Sequence, residues 1–117
     1  MAAKSYKELR IWQTGKIIVF EIYKLTQQLP SHEQFGLISQ MRRASVSIPV
    51  NIAEGFGRGQ PKELKRFLHI ALGSCAELQT LLEILQDLNY AQASDLTFLF
   101  DKIDHESRML MNYSQCL

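Results

Sequence analysis

Apolar residues recur along most of this chain at spacings of three and four, the period that places side chains on one face of an α-helix. In a first segment, from about Glu8 to Gln28, Leu9, Trp12, Val19, Phe20 and Tyr23 fall on one side, and Pro30 stops the run. Ser31 followed by Gln34 has the spacing of a capping box. It predicts a second helix carried by Leu37, Met41, Ala44, Ile48 and Ile52 to a break at Gly55, Gly57 and Gly59, with Pro49 bending it or removing one hydrogen bond. Pro61 suits the first turn of a third helix, whose stripe of Leu64, Phe67, Leu68, Ala71, Cys75, Leu78, Leu82 and Leu85 lasts to about Leu88. Ser94 is placed to cap a fourth, with Leu96, Leu99, Phe100, Ile103 and Leu110 on one face. No alternating strand pattern competes, and no linker divides the chain. The expectation is an all-α single domain over residues 1–117, in which short connections make antiparallel neighbours of an up-down-up-down four-helix bundle.

Several helices carry a second set of apolar positions. Ile11, Ile18, Ile22 and Leu25 recur on the side of the first helix opposite Trp12 and Phe20. Val46 and Val50 lie across the second helix from Met41 and Ile48, and the third adds Ile70, Leu81, Ile84 and Leu88 outside its main stripe. A helix apolar on two sides is buried on two sides, and a stripe of four left in water would form a patch that monomers seldom carry. The second stripes, led by Ile11, Ile18, Ile22 and Leu25, therefore predict contacts between subunits of a homo-oligomer.

Composition narrows the class further. A hydrophobic share of 46% and a charged share of 21% suit a soluble globular domain, while six glycines and three prolines are too few for a turn-rich β protein. The longest charge-free runs, Ala44 to Ala53 and Phe67 to Ala76, fall well short of the roughly 18 residues of a bilayer span. The first residues meet charge at Lys4 and have no apolar core of a secretory signal, so the expected location is the cytoplasm, with no membrane partner. The net charge of +1 hides a split: residues 1–75 carry 11 Lys and Arg against 5 Asp and Glu, and residues 76–117 carry 2 against 7. Such asymmetry marks a nucleic-acid surface or a self-complementary assembly.

Candidate chemistry is sparse. Cys75 and Cys116 form neither a zinc pattern nor a disulfide framework. His32, His69 and His105 lack a second ligand at metal spacing, so no metal or cofactor is expected. The glycines at 55, 57 and 59 follow a helix, the wrong context for a phosphate cradle after a strand. Nucleophile elbows and dinucleotide fingerprints are absent, which argues against an enzyme. Two constellations remain. Arg43, Ser47, Asn51 and Glu54 form one polar face of the second helix, with Glu77 on the third helix able to meet the arginine. They read as a structural seam in which Arg43 pairs with Glu54 or Glu77, with a ligand site as the alternative. Arg42, Arg43, Arg58, Lys62, Lys65 and Arg66 form a basic cluster at the end of the second helix and the start of the third. Cations there can neutralise the phosphates of RNA or DNA or form only a solvated face.

Several motifs resemble one family. They are Leu9-Arg10-Ile11-Trp12, Phe35-Gly36-Leu37-Ile38-Ser39-Gln40-Met41-Arg42-Arg43-Ala44, Ser47-Ile48-Pro49-Val50-Asn51-Ile52-Ala53-Glu54-Gly55 and Arg66-Phe67-Leu68-His69-Ile70-Ala71-Leu72-Gly73-Ser74 with Glu77-Leu78. The stretch from about Leu9 to Tyr90 resembles the bacterial four-helix bundle family of 23S rRNA-intervening-sequence proteins, with Gly15 an unusual residue inside the first helix. The resemblance implies a left-handed four-helix bundle assembled as a ring-shaped homopentamer. Related members are accessory proteins of diversity-generating retroelements, where a basic barrel engages nucleic acid and a reverse transcriptase; that role depends on genomic context and does not transfer to this chain. The functional expectation is a non-enzymatic oligomer binding structured nucleic acid through Arg42, Arg58, Lys62, Lys65 and Arg66. The competing reading is a protein-interaction scaffold whose basic cluster pairs with the acidic half of another subunit.

Overall fold

A computed structural model describes residues 3–117. After a 3-10 turn over Tyr6–Glu8 come four helices: α1 (Arg10–Thr26), α2 (Ser39–Gly57), α3 (Pro61–Asp87) and α4 (Ala93–Gln115). Each packs against the next, and α4 closes back onto α1. The result is an all-α four-helix bundle about one core, 45 Å long and 24 by 19 Å across.

Local signals explain most of the boundaries. Ser5 and Glu8 form a reciprocal capping box, in which the Glu8 carboxylate accepts from the backbone N–H groups of Lys4 and Ser5 at 2.9 Å. Pro61 occupies the first turn of α3, where its missing N–H costs nothing. The start of α2 differs from the expectation drawn from Ser31 and Gln34. Ser31–Glu33 is a 3-10 turn and Gln34–Ile38 a π-type turn, so α2 begins only at Ser39. The cause is Gly36, whose φ of −106° and ψ of −110° are not helical. Glu33, not Ser31, supplies the cap, accepting from the Leu37 N–H at 3.4 Å. A Cβ on Gly36 would stand 2.7 Å from that same carboxylate. The cap of α4 is likewise Gln92, paired with Asp95, and not Ser94. Pro49 is carried inside α2, leaving the Ser45 carbonyl without its usual i+4 donor.

The cores of α2, α3 and α4 follow the predicted stripes. Met41, Ile48, Ile52, Leu68, Leu78, Leu82, Leu85, Leu96, Ile103 and Leu110 are all fully buried, and Leu81 joins them. By length and composition alone the helix α3 could cross a membrane, but its apolar stripe lies in this core. On α1 the expectation is reversed. Ile11, Ile18 and Ile22, read as a surface between subunits, face the bundle's own core, whereas Phe20 is 64% exposed and Trp12 and Val19 are half-buried. Two stripes compete for one core, and backbone proximity decides between them. Gly15 shares the Ile11–Ile18–Ile22 face, and a Cβ there would stand 3.3 Å from Ile48 and 3.4 Å from Pro49 of α2. The glycine face is the one that lets α1 come closest.

This inversion has a direct consequence for stability. Ile22→Ala is expected to cost about 2–5 kcal/mol, the range for truncating a filled core position. Phe20→Ala, at a ring mostly in water, is expected to cost far less. Chemical denaturation followed by circular dichroism measures both, and equal losses would contradict this assignment of faces.

Candidate nucleic-acid interface

The basic cluster divides along the length of α2. Arg42 and Arg43 are the fourth and fifth residues of α2, and Arg58 follows its last residue. Sixteen residues of helix separate Arg42 from Arg58, roughly 24 Å at the helical rise. Arg42 therefore does not join Arg58, Lys62, Lys65 and Arg66, which is a correction to the cluster read from the sequence. It is tied instead to the far end of α1, where its Nε donates to the Thr26 hydroxyl at 2.9 Å and its guanidinium lies 4.4 Å from the centre of the Tyr23 ring.

The α2–α3 junction is built around Phe67. Gly55, in the last turn of α2, packs against it so closely that an added Cβ would meet the Phe67 Cβ at 2.6 Å. Both arginines cover the Phe67 ring, Arg66 at 4.5 Å and Arg58 at 5.2 Å from its centre. Both also meet acids. Arg58 approaches Glu54 at 3.0 Å and Glu63 at 4.0 Å, and Arg66 donates to Glu63 from Nε at 3.0 Å and from Nη2 at 3.3 Å. The Arg66 hydrogen bond outweighs desolvation and holds the Glu63 carboxyl below its usual range, and the same bond raises Arg66. Part of the charge read as free for a ligand thus serves the junction. Lys62 and Lys65, both exposed, make no ion pair among the described residues.

Topology adds residues that the sequence reading missed. The 3-10 turn before α1 packs against α2, and the antiparallel arrangement puts the start of α1 at the same end of the bundle as the α2–α3 junction. Lys4, Lys7 and Arg10 therefore share that end, with the Glu8 carboxylate engaged in its own cap. The signal was available in the sequence: with short helix connections, the beginning of the first helix must neighbour the end of the second.

The polar seam also divides. Ser47 and Ser74 share a hydrogen bond of 2.8 Å between α2 and α3, and the Asn51 amide donates to the Ser47 hydroxyl at 2.9 Å and to the Ser47 carbonyl at 2.8 Å. The charged members stand apart. Glu54 pairs with Arg58, and Arg43 makes no ion pair with Glu54 or Glu77, contrary to the pairing expected from helical spacing. Arg43 and Glu77 instead line an open groove of about 550 Å³ with Ser39, Gln40, Ser47 and Ser74, beside a Phe35 ring that is 92% exposed. At the same end of the bundle the Tyr90 hydroxyl donates to Glu33 at 3.1 Å and lies 3.3 Å from His32, tying the α1–α2 loop to the α3–α4 loop. Cys75 is buried and Cys116 exposed, and both are free thiols. No group of three or more His, Cys, Asp or Glu able to hold a metal ion occurs among the described residues.

The helix order, the glycine-ended α2 and the hydroxyl seam carry the motifs of one family, and a family model, 23S rRNA-intervening sequence protein, matches residues 7–112. The chain belongs to this family. No curated protein matches it. The family match takes in all of α1, α2 and α3 and most of α4, beyond the stretch ending near Tyr90 on which the sequence resemblance rests.

The two neighbouring arginines of α2 separate cleanly in experiment. Arg42→Ala removes a bond to Thr26 and a stacked ring and is expected to lower stability by about 1–2 kcal/mol. Arg43→Ala, at an exposed residue with no ion pair among the described residues, is expected to change it by less than about 0.5 kcal/mol. Urea melts of the two variants at low protein concentration would show the order reversed if Arg43 were the buried partner of an acid.

Proposed function

We propose that this protein is a non-enzymatic, oligomeric helical bundle that binds structured nucleic acid, RNA foremost, through phosphate contacts at one end of the bundle. The observation that carries this reading is the pair Lys62 and Lys65, exposed and without acidic partners among the described residues, at the end that also holds Lys4, Lys7 and Arg10. Arg58 and Arg66 support it as residues that are both charged and pre-ordered on Phe67. Phosphate contacts position a protein without reading sequence, so selectivity would come from the shape of the nucleic acid.

The oligomeric part of the proposal rests on the outer face of α1, α2 and α3. Phe20, Tyr23, Val50, Ile70 and Ile84 are exposed there, with Arg43 and Glu77 free to meet charges of another copy. A left-handed bundle in a homopentameric ring, the arrangement implied by the family resemblance, would repeat the basic end around one rim and raise its local charge. A cytoplasmic location belongs to the same proposal. The scaffold reading keeps one observation in its favour: Glu54 and Glu63 already engage Arg58 and Arg66.

Replacing Lys62 and Lys65 together with Glu is expected to weaken binding to all RNA and DNA sequences alike and to leave the assembly intact. Anisotropy titrations at low and physiological salt test the binding, with a steep loss of affinity on adding salt as the expected result. Light scattering tests the assembly. Absence of binding by the native protein at low salt would leave the scaffold reading in its place.

A further inference from the structure

Glu106 is the fully buried acid of the core. Its side chain has no exposed surface, and neither carboxyl oxygen has a hydrogen-bond partner. From α4 it reaches the layer of α1 and α2 around Gly15: a Cβ at Gly15 would stand 3.2 Å from Glu106 Oε2, with Ile48 and Pro49 closing the same spot. A carboxylate in such surroundings is strongly disfavoured unless it is paired.

The charged and titratable groups on the elements around it do not pair with it. On α1 the charge beside Gly15 is Lys16, which lies over the Trp12 ring at 4.7 Å. The α2 neighbours, Ile48 and Pro49, are apolar. On α3 the neighbour is the Cys75 thiol, which burial pushes up to about 12 despite the Ser107 hydroxyl, with the Glu106 charge adding to the rise. On α4 itself Lys102 lies near the Phe98 ring, Asp104 pairs with Arg108 on the outer surface, and His105 is exposed. Burial alone pushes the Glu106 carboxyl up to about 8.

The position of this acid matters because α1 and α4 share the least extensive of the four helix–helix interfaces. Along α1, the residue facing the carboxyl is the one that has no side chain to cover it. We propose that Glu106 is a proton-operated latch on the α1–α4 seam: the seam closes around the neutral acid, and opening it hands the proton to water.

The direction of the pH effect follows from which state holds the proton. An exposed glutamate titrates near 4.5 and the closed seam holds its proton up to about 8. Between those values the closed state binds one proton more than the open state, so closure weakens as pH rises. One proton released per opening means an opening equilibrium that rises about tenfold per pH unit across that window and levels off above it. Acid holds the latch shut. This inference stands apart from the nucleic-acid reading, because Glu106 touches none of the basic residues.

Native-state hydrogen exchange resolved by helix is the test, with rates corrected for the intrinsic pH dependence of amide exchange. Between about pH 5.5 and pH 7.5, protection of the α1 amides and of the α4 turn around Glu106 is expected to fall about 100-fold. The most extensive interface, α2–α3, is expected to keep its protection. In Glu106→Gln, which has no proton to release, the fall in α1 is expected to vanish. The latch is overturned if native α1 protection shows no such fall, if the Gln variant shows the same fall, or if all four helices lose protection together. Should the Gln variant not fold, the regional pattern in the native protein decides alone.

Discussion

The packing of Gly15 on α1 against Ile48 and Pro49 of α2 is the constraint on which the other features depend. With no Cβ, Gly15 lets α1 come within van der Waals reach of Ile48 and Pro49, and this approach selects the Ile11–Ile18–Ile22 face as the inner one. Turning α1 by half a turn would bury its aromatics instead, but it would bring large side chains to a place where even a Cβ would already stand 3.3 Å from Ile48 and 3.4 Å from Pro49. Once that face is inside, Trp12, Phe20 and Tyr23 must lie outside or at the edge. The exposed apolar surface available to a second copy follows from the same choice. So does the depth at which Glu106 sits, since the space left by the missing side chain is where its carboxyl points.

The α2–α3 junction shows one set of side chains in two roles. Gly55 allows the two helices to meet at Phe67, and the arginines that shield that ring are members of the basic cluster. Glu63 joins the two arginines, which orders them and reduces the field they project. A surface built this way combines ordered guanidinium groups with lysines that make no ion pair among the described residues. Exposed ion pairs of this kind contribute little to stability, so the arrangement matters more for where the charges point than for how firmly the helices hold.

The opposite end of the bundle is held differently. There the long α1–α2 connection is stiffened by Glu33, which caps Leu37 with one oxygen and accepts from Tyr90 with the other. A Cβ on Gly36 would displace that carboxylate from its cap. Arg42 then ties α2 to the last turn of α1 through Thr26 and Tyr23. The open groove beside Arg43 and Glu77 is bordered by this braced loop and leaves Phe35 in water.

The sequence by itself determined the class and number of helices, the inner stripes of α2, α3 and α4, and the family, because helical periodicity is local and survives in any arrangement of the helices. The Ser47–Asn51 part of the seam was legible for the same reason: an i, i+4 pair meets whatever the tertiary context. Tertiary structure alone decided which of two apolar faces of α1 turned inward, since both have helical spacing and only the fit of Gly15 against α2 distinguishes them. It also decided the partners of the charges. Arg42 and Arg58 are near in sequence terms but a helix length apart, while Lys7 and Lys62 are remote in sequence and share one end. Glu106 falls within the apolar stripe of α4, three residues after Ile103 and four before Leu110, but only the assembled core shows that it is fully buried there and that no cation among the described residues pairs with it.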